Sequence, residues 1–186
     1  MKGMRTDAPW TGVLLAGGRS RRMGRDKAGL VWNGRTLLLH QSQLLMDAGA
    51  QRVVVSGDYP QAQGIPDAVS DQGPLGGLLA VSAVLEDGPL VVLPIDMPQV
   101  APALLAALAQ APARCAHYRG HVLPLRLALD AALRAWLAQS PQLPPEQRSL
   151  RALHAACNGT ILPLAPGDVR LLANCNTPDE WAALAS

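Results

Sequence analysis

The sequence contains no phenylalanine, and aromatic residues make up only 3% of its 186 residues. A hydrophobic core, for which 49% of the residues are available, must therefore be built mainly from leucine, valine and alanine. The scarcity of aromatic side chains leaves few platforms on which nucleic-acid bases could stack. Lys and Arg exceed Asp and Glu only by 16 to 14, which excludes a broad basic surface for nucleic acid.

Cysteine is also scarce, with three residues far apart and no C-x-x-C pair. This number excludes a disulfide framework and favours a reducing compartment. A zinc site built from Cys115, His117 and His121, or from His154 and Cys157, is not favoured, because no ligand pair repeats at zinc-site spacing.

Long apolar runs are absent as well. No stretch approaches the roughly 20 residues of a membrane-spanning helix. The apolar run 13–16 near the N-terminus is too short for the core of a secretory signal. We therefore expect a cytoplasmic protein that does not contact membranes.

Short buried strands alternate with helical segments in the first part of the chain. The predicted strands are 11–16, 52–56 and 90–95. The predicted helices are 36–47, with Thr36 as its cap, a helix opened by the turn 73–77 and running toward Leu85, and 101–110. Because such alternation is typical of βαβ units, it predicts a three-layer α/β fold with a mostly parallel, Rossmann-like sheet and helices on both faces.

The pattern changes after about residue 110. Two strands are predicted within 115–129, around Gly120, and a further strand within 159–164. Helices are predicted at 130–139 and 149–157, and Thr177 to Glu180 has the spacing of a capping box that begins a last helix.

The loop after the first predicted strand, residues 17–27, has three glycines and five basic side chains in eleven positions. Open parallel sheets bind ligands at the carboxyl ends of their strands, which is where this loop lies. Gly17 and Gly18 allow a ligand to approach the backbone and can turn their N–H groups toward an anion. The loop therefore suits a polyphosphate, although its spacing is neither Walker A nor G-x-G-x-x-G, and a solvated basic turn is the alternative.

Polar residues follow the other predicted strands. Asp96 ends the third strand, where it could hold magnesium against bound phosphates or cap a helix. Asp71 could contact a base or ribose, or simply occupy a turn. Asn174 and Asn176 could offer neutral oxygen ligands from an extended segment, or form a turn before the last helix.

These residues together resemble a known family. The run Leu15-Ala-Gly-Gly-Arg-Ser-Arg-Arg-Met-Gly-Arg-Asp-Lys27 is similar to the signature loop of nucleotidyltransferases that join a nucleotide to a phosphorylated acceptor. The resemblance narrows to molybdenum cofactor guanylyltransferases through four further segments: Gly73-Pro-Leu-Gly-Gly77, Pro94-Ile-Asp-Met-Pro98, Arg148-Ser-Leu150 and Asn174-Cys-Asn-Thr-Pro178. It extends from about residue 12 to 181.

The resemblance implies a single nucleotidyltransferase domain, 1–186, with a nucleotide-binding half at about 11–110 and an acceptor-binding half at about 111–186. It implies transfer of GMP from Mg-GTP to molybdenum-carrying molybdopterin, with release of pyrophosphate. GTP and molybdopterin would be the substrates and Mg²⁺ the cofactor. Transient contacts with proteins that insert or deliver the molybdenum cofactor are also expected, whereas nucleic acid and membranes are not.

The resemblance also assigns roles to residues. Those expected to bind the nucleotide are Leu15, Ala16, Gly17, Gly18, Lys27, Ser56, Asp71 and Asp96. Those expected to act in catalysis are Arg22 and Lys27, on the phosphates, and Asp96, on magnesium. Asn174 and Asn176 are expected near the pterin or a metal.

Three points stay open at this stage. Ser56 stands where family members often have Asn, so its contact with the nucleotide is weaker or bridged by water. Gly17 favours GTP, because related CTP-using enzymes tend to have Ala there. A noncatalytic GTP-binding module is the alternative from another class, against which the presence of both Lys27 and Asp96 argues.

Overall fold

The computed structural model describes residues 8–17, 26–67, 72–177 and 180–181, which form eight strands and five α-helices. The strands are β1 (Thr11–Leu15), β2 (Val31–Trp32), β3 (Arg35–Thr36), β4 (Arg52–Ser56), β5 (Gly88–Pro94), β6 (Cys115–Tyr118), β7 (Leu125–Leu129) and β8 (Thr160–Leu162). The helices are α1 (Leu37–Asp47), α2 (Gly73–Ser82), α3 (Pro102–Ala109), α4 (Ala131–Gln139) and α5 (Leu150–Ala156). None of these helices has the length and apolarity needed to cross a bilayer.

Six strands form one sheet in the order β4-β1-β5-β7-β6-β8. β1 pairs in parallel with β4 and β5, and β6 pairs in parallel with β8. β7 alone runs antiparallel to its neighbours β5 and β6. The short connection between β6 and β7 explains this reversal, since antiparallel strands can be joined by a tight link whereas parallel strands need a long crossover. The predicted mostly parallel sheet is confirmed.

Two hydrophobic cores lie on opposite faces of the sheet. In β1, Leu14 packs into one core, whereas Val13 and Leu15 pack into the other, as the two-residue period of a strand requires. The first core takes buried leucines from α1 and α3, and the second takes apolar residues from α2, α4 and α5. The predicted three-layer arrangement, with helices on both faces, is thereby confirmed.

Local sequence signals account for the start of α1. Asn33 and Gly34 have φ angles of 48° and 77° in the turn between β2 and β3, the left-handed values that a tight hairpin needs. The Thr36 hydroxyl then accepts a hydrogen bond from the Leu39 N–H at 3.4 Å. The helix therefore begins where the sequence predicts its cap.

Helix α2 approaches the sheet closely because of its glycines. The predicted turn 73–77 is itself the first part of this helix, which begins at Gly73. A side chain at Gly77 would overlap the Ser56 hydroxyl and lie 3.3 Å from Leu15 Cδ2. Ser56 is only 1% exposed, so it has little room to move away. The absence of a side chain at Gly77 thus fixes the distance between α2 and the ends of β1 and β4.

We predict that Gly77→Ala lowers the free energy of unfolding by about 1–3 kcal/mol, because a methyl group is forced into a packed contact. Urea denaturation followed by circular dichroism measures this change. Gly167→Ala is the matched control, since a Cβ there meets no atom within 4 Å. An equal effect of the two substitutions would show that the approach of α2 is not set by Gly77.

Candidate active site

The carboxyl ends of β1, β4 and β5 border a cavity of about 620 Å³. Their last residues, Leu15, Ser56 and Pro94, all line it. The cavity therefore lies at the sheet edge where the sequence predicts the ligand site.

The first loop leaves β1 against the end of β4. The N–H groups of Ala16 and Gly17 both donate to the Ser56 carbonyl, at 2.9 and 2.8 Å. Both residues line the cavity, as does Ser56. Gly18 and Arg22, which were also predicted to bind the nucleotide and its phosphates, lie outside the described residues.

Lys27, at the other end of this loop, reaches the tip of β5. Its ammonium lies 3.6 Å from Asp96 Oδ2 and donates to Cys175 O and Asn176 Oδ1, each at 2.9 Å. The Lys27 and Asp96 side chains are 13% and 20% exposed, and both line the cavity. The structure thus brings together two of the three residues predicted to act in catalysis.

Buried polar contacts hold the β5 tip in place. Gln41 of α1 is fully buried, and its side-chain amide lies 3.5 and 3.4 Å from the carbonyls of Pro94 and Ile95. The Ile95 N–H donates to Leu15 O at 3.0 Å. These contacts orient the turn that presents Asp96.

The C-terminal segment also docks on this tip. Its Cys175 N–H donates to the Asp96 carbonyl at 2.7 Å. Asn174 lines the cavity, whereas the Asn176 side chain binds Lys27. The predicted capping box is confirmed, because Glu180 accepts from the Thr177 N–H at 3.1 Å and its own N–H donates to the Thr177 hydroxyl at 3.2 Å.

Burial dominates the electrostatics of Asp96. It raises the pKa of this carboxyl above its usual value, although the Lys27 ammonium acts in the opposite direction. The ionised carboxylate is therefore costly at this position. A cation bound beside it would relieve that cost.

Asp67 is a cavity residue that the sequence analysis missed. Its Oδ1 is buried and has no hydrogen-bond partner among the described residues, and burial raises the pKa of its carboxyl. It lies close to α2, since a Cβ on Gly76 would be 3.3 Å from Asp67 Oδ2. The signal in the sequence was weak: Asp67 follows a short bridge between Ser56 and Ile65 rather than a full strand. Asp71, the predicted nucleotide ligand of this region, lies outside the described residues.

The N-terminus of α2 faces the same cavity, with Gly73, Pro74 and Gly77 among the lining residues. Gly73 has a φ of 58°, and the side chain of the N-cap residue, Gln72, makes no capping hydrogen bond with the described part of the helix. The first N–H groups of a helix carry partial positive charge and suit an anion. This end of α2 therefore adds to the attraction for phosphate.

The opposite wall comes from the second half of the chain. It consists of Gly120, His121, Val122 and Leu123, between β6 and β7, and of Arg151 on α5. The sequence analysis identified none of these as site residues. Arg151 is exposed, so its guanidinium is available to an anion in the cavity.

Tyr59 joins the two ends of the first loop. Its hydroxyl lies 3.1 Å from Ala16 O and 2.9 Å from Asp26 Oδ1, and its single proton is shared between these two acceptors. Asp26 in turn caps the short helix that begins at Lys27 by accepting from the Ala28 N–H at 3.0 Å. Tyr59 thereby helps to set the position of Lys27.

Asp96 is the carboxylate that a divalent ion would meet beside the cavity at the tip of β5. No group of three or more His, Cys, Asp or Glu side chains within the described ranges is placed to hold a metal. Magnesium commonly binds one or two carboxylates together with substrate phosphates and water. Asp96, beside the cavity and costly to ionise alone, fits that mode of binding.

Residues 12–160, well over half of the chain, match the family model of the MobA-like NTP transferase domain. A curated relative from Xanthomonas euvesicatoria pv. vesicatoria (strain 85-10), named molybdenum cofactor guanylyltransferase, is 46% identical over 183 residues, which is 97% of each chain. A relative of the same name from Rhizobium johnstonii is 35% identical over 194 residues, covering 91% of this chain and 88% of that one.

Solved structures share the fold. The molybdopterin-guanine dinucleotide biosynthesis protein A of Archaeoglobus fulgidus superposes with a TM-score of 0.74, over 94% of this chain and 96% of that one. Its sequence identity is 21%, so this likeness concerns the fold alone.

We predict that Asp67→Asn changes how stability depends on pH. The raised pKa of Asp67 means that the folded protein keeps this proton longer than the unfolded chain does. The free energy of unfolding of the wild type should therefore fall as pH rises from about 4, the unfolded value, through the folded pKa. The variant should lack this loss, so its stability relative to wild type should increase across that window and then level off.

Urea denaturation at a series of pH values measures the difference. Asp47→Asn, which removes an exposed carboxylate on α1, reports the effect of removing one charge from the surface. A constant difference between Asp67→Asn and wild type from pH 3 to 8 would contradict the placement of Asp67.

Proposed function

The chain belongs to the MobA-like NTP transferase family, and from this we propose that it is a nucleotidyltransferase that transfers a guanylyl group to the molybdenum cofactor. The reaction joins GMP, taken from GTP, to molybdenum-carrying molybdopterin. It yields the guanine dinucleotide form of the cofactor and pyrophosphate.

One observation carries the proposal most directly. Lys27 from the glycine-rich loop and Asp96 from the β5 tip form an ion pair beside one cavity. A site for a nucleoside triphosphate needs positive charge and a metal-binding carboxylate in the same place. The carboxyl ends of the strands in a parallel sheet can supply both.

The nucleotide would lie across the carboxyl ends of β1 and β4. Leu15, Ala16, Gly17 and Ser56 line this part of the cavity. Asp67 adds an acceptor without a partner among the described residues, of the kind that a base or ribose can satisfy with N–H or O–H donors. The expected contacts of Gly18, Arg22 and Asp71 rest on the sequence.

Magnesium is the cofactor in this proposal, with Asp96 as its protein ligand. When bound, it supplies positive charge that offsets the charge of the phosphates. Asp96 can serve this purpose because hydrogen bonds hold the turn that carries it. The Gln41 side-chain amide and the Cys175 N–H both donate to backbone carbonyls of this turn.

The protein mainly positions and neutralises the reactants. A terminal phosphate oxygen of molybdopterin attacks the α-phosphorus of GTP, and the bond to pyrophosphate breaks. No protein nucleophile is needed, because the acceptor phosphate is already ionised at neutral pH. When the protein holds both substrates in line, a reaction between two free molecules becomes a reaction within one complex.

Lys27 must exchange partners to act on the phosphates. Its ammonium already meets three acceptors within the protein, Asp96, Cys175 O and Asn176 Oδ1. An ammonium has three protons to donate, so a phosphate oxygen would replace one of these acceptors. Asp96 is the partner that would be replaced, because its carboxylate would hold a bound magnesium ion.

The acceptor would enter from the second half of the chain. Asn174 and Arg151 line that side of the cavity together with residues 120–123. Arg151 offers a charge for an acceptor phosphate, and Asn174 offers an amide for the polar edge of a pterin. Asn176, in contrast, acts through Lys27. Proteins that insert or deliver the molybdenum cofactor would receive the product.

The choice of GTP over CTP rests on Gly17 and on the names of the curated relatives. A cytidylyltransferase, or another small nucleotidyltransferase, is the alternative that a direct assay must separate. A module that only binds GTP has no need of a lysine and a magnesium-binding carboxylate at one site.

The test is incubation of the purified protein with molybdenum-carrying molybdopterin, magnesium and either GTP or CTP. We expect pyrophosphate release with GTP, and a product whose mass equals that of the acceptor plus GMP. Release with CTP alone would establish the cytidylyl alternative. Binding of GTP without any turnover would contradict the proposal.

We predict that Lys27→Ala lowers turnover about a hundredfold or more, because one preorganised positive charge is lost. Lys27→Arg should recover part of the rate, since it keeps the charge. Lys2→Ala, at the other lysine of the sequence, is the control and should leave the rate unchanged. Wild-type turnover of Lys27→Ala would mean that this ammonium does not meet the phosphates.

We predict that Asp96→Asn lowers turnover by roughly two orders of magnitude and raises the magnesium concentration needed for half-maximal rate. The thermal midpoint should not fall, because the substitution removes a buried carboxylate that is costly to ionise. Asp87→Asn, an exposed carboxylate paired with Arg134, serves as the control. An unchanged magnesium requirement would show that Asp96 is not a metal ligand.

A further inference from the structure

Two cysteines meet where α5 packs on β6. Cys115 and His117 lie two residues apart on β6 and therefore face the same side of the sheet. His154 and Cys157 lie three residues apart at the end of α5, on one face of that helix. The rings of His117 and His154 are 4.3 Å apart between centroids, and Cys157 packs against the hydrophobic core that contains Cys115.

The two thiols differ in access to solvent. Cys115 is fully buried in the core between the sheet and α2, α4 and α5. Cys157 is half-buried and lines a separate cleft of about 480 Å³, together with Arg114, Trp136 and Thr160. A small reagent can therefore reach Cys157, whereas the Cys115 side chain has no exposed surface.

The charges around the pair favour a thiolate on the accessible member. The neighbouring Cys115 thiol and the Arg114 guanidinium lower the pKa of Cys157 to about 7, against burial and the nearby Asp130. The contact with Cys157 and burial raise the pKa of Cys115, although Arg126 acts in the opposite direction. The pair thus consists of a nucleophilic thiolate and a neutral thiol held beside it.

We propose that Cys115 and Cys157 form an oxidation site, at which a hydroperoxide converts their two thiols into one intramolecular disulfide. This site lies outside the cavity described above and is independent of the reaction proposed there. Neither sulfur belongs to the residues that line that cavity.

The chemistry balances in two steps. The Cys157 thiolate attacks the peroxide, the O–O bond breaks, and the leaving oxygen takes a proton and departs as water or an alcohol. Cys157 is then a sulfenic acid. The Cys115 sulfur attacks the Cys157 sulfur, the S–O bond breaks, and the hydroxyl group leaves with the Cys115 proton as water. Two thiols lose two electrons, and the peroxide gains them.

The cross-link would join two segments that line the larger cavity. α5 carries Arg151, and β6 leads directly into the loop that contributes residues 120–123. A disulfide between the start of β6 and the end of α5 would therefore restrict the movement of these segments relative to each other.

The test treats the folded full-length protein with a small excess of hydrogen peroxide at pH 7, with a chelator present, and analyses it by mass spectrometry. We expect a loss of two hydrogen atoms per chain. Tryptic digestion without reduction should then yield peptide 115–119 joined to peptide 152–170. Cys175→Ala should give the same product, since the third cysteine takes no part.

Two variants separate the steps. In Cys115→Ala the reaction should stop at a Cys157 sulfenic acid, which the reagent dimedone traps. In Cys157→Ala, Cys115 should stay reduced in the folded protein, because it is buried. If Cys115→Ala does not fold, the wild type and Cys157→Ala still decide the matter.

Three results would overturn the proposal. One is a disulfide between two chains instead of within one. Another is oxidation of Cys175 before Cys157. The third is a Cys157 that reacts with peroxide at pH 7 no faster in the folded protein than in guanidinium-unfolded chain.

Discussion

A single ammonium group joins three distant parts of this chain. Lys27 follows the first loop, Asp96 ends β5, and Asn176 with Cys175 O belongs to the C-terminal segment. A mostly buried cation is stable only when its surroundings return the hydrogen bonds that water would supply, and here three acceptors do so. The rim of the cavity therefore depends on complete folding, because no local element contains both the cation and its partners.

The site is built at a cost to stability. Burial raises the pKa of Asp67 and of Asp96, so a ligand that contacts these carboxyls would relieve the cost of ionising them. Gly77 must remain without a side chain for α2 to reach the strands. Perturbed carboxyls beside a cavity are common at functional sites, where affinity for the ligand outweighs the loss of stability. The concentration of these features around the one cavity that Lys27 also lines is what ties the fold to the proposed transfer.

The sequence allowed most of the sheet and part of the site to be predicted. Short apolar runs and period-3.6 patterns, with the cap at Thr36, located the elements of the first half. The loop after the first predicted strand pointed to Lys27, and the end of the third pointed to Asp96. Asp67 could not be found this way, because it follows an isolated bridge and owes its importance to burial. The partner of Asn176 and the cavity-facing position of Arg151 depend on long-range packing, which local patterns do not encode.

The central claim is that Lys27 and Asp96 act together on one nucleoside triphosphate. A double-mutant cycle on kcat/KM for GTP, with Lys27→Ala, Asp96→Asn and both together, tests it most directly. Groups that act as a unit are not additive, so we expect the double variant to lose little more than the worse single variant. If the two losses multiply to within a factor of about two, the residues act independently and the shared-site account is contradicted.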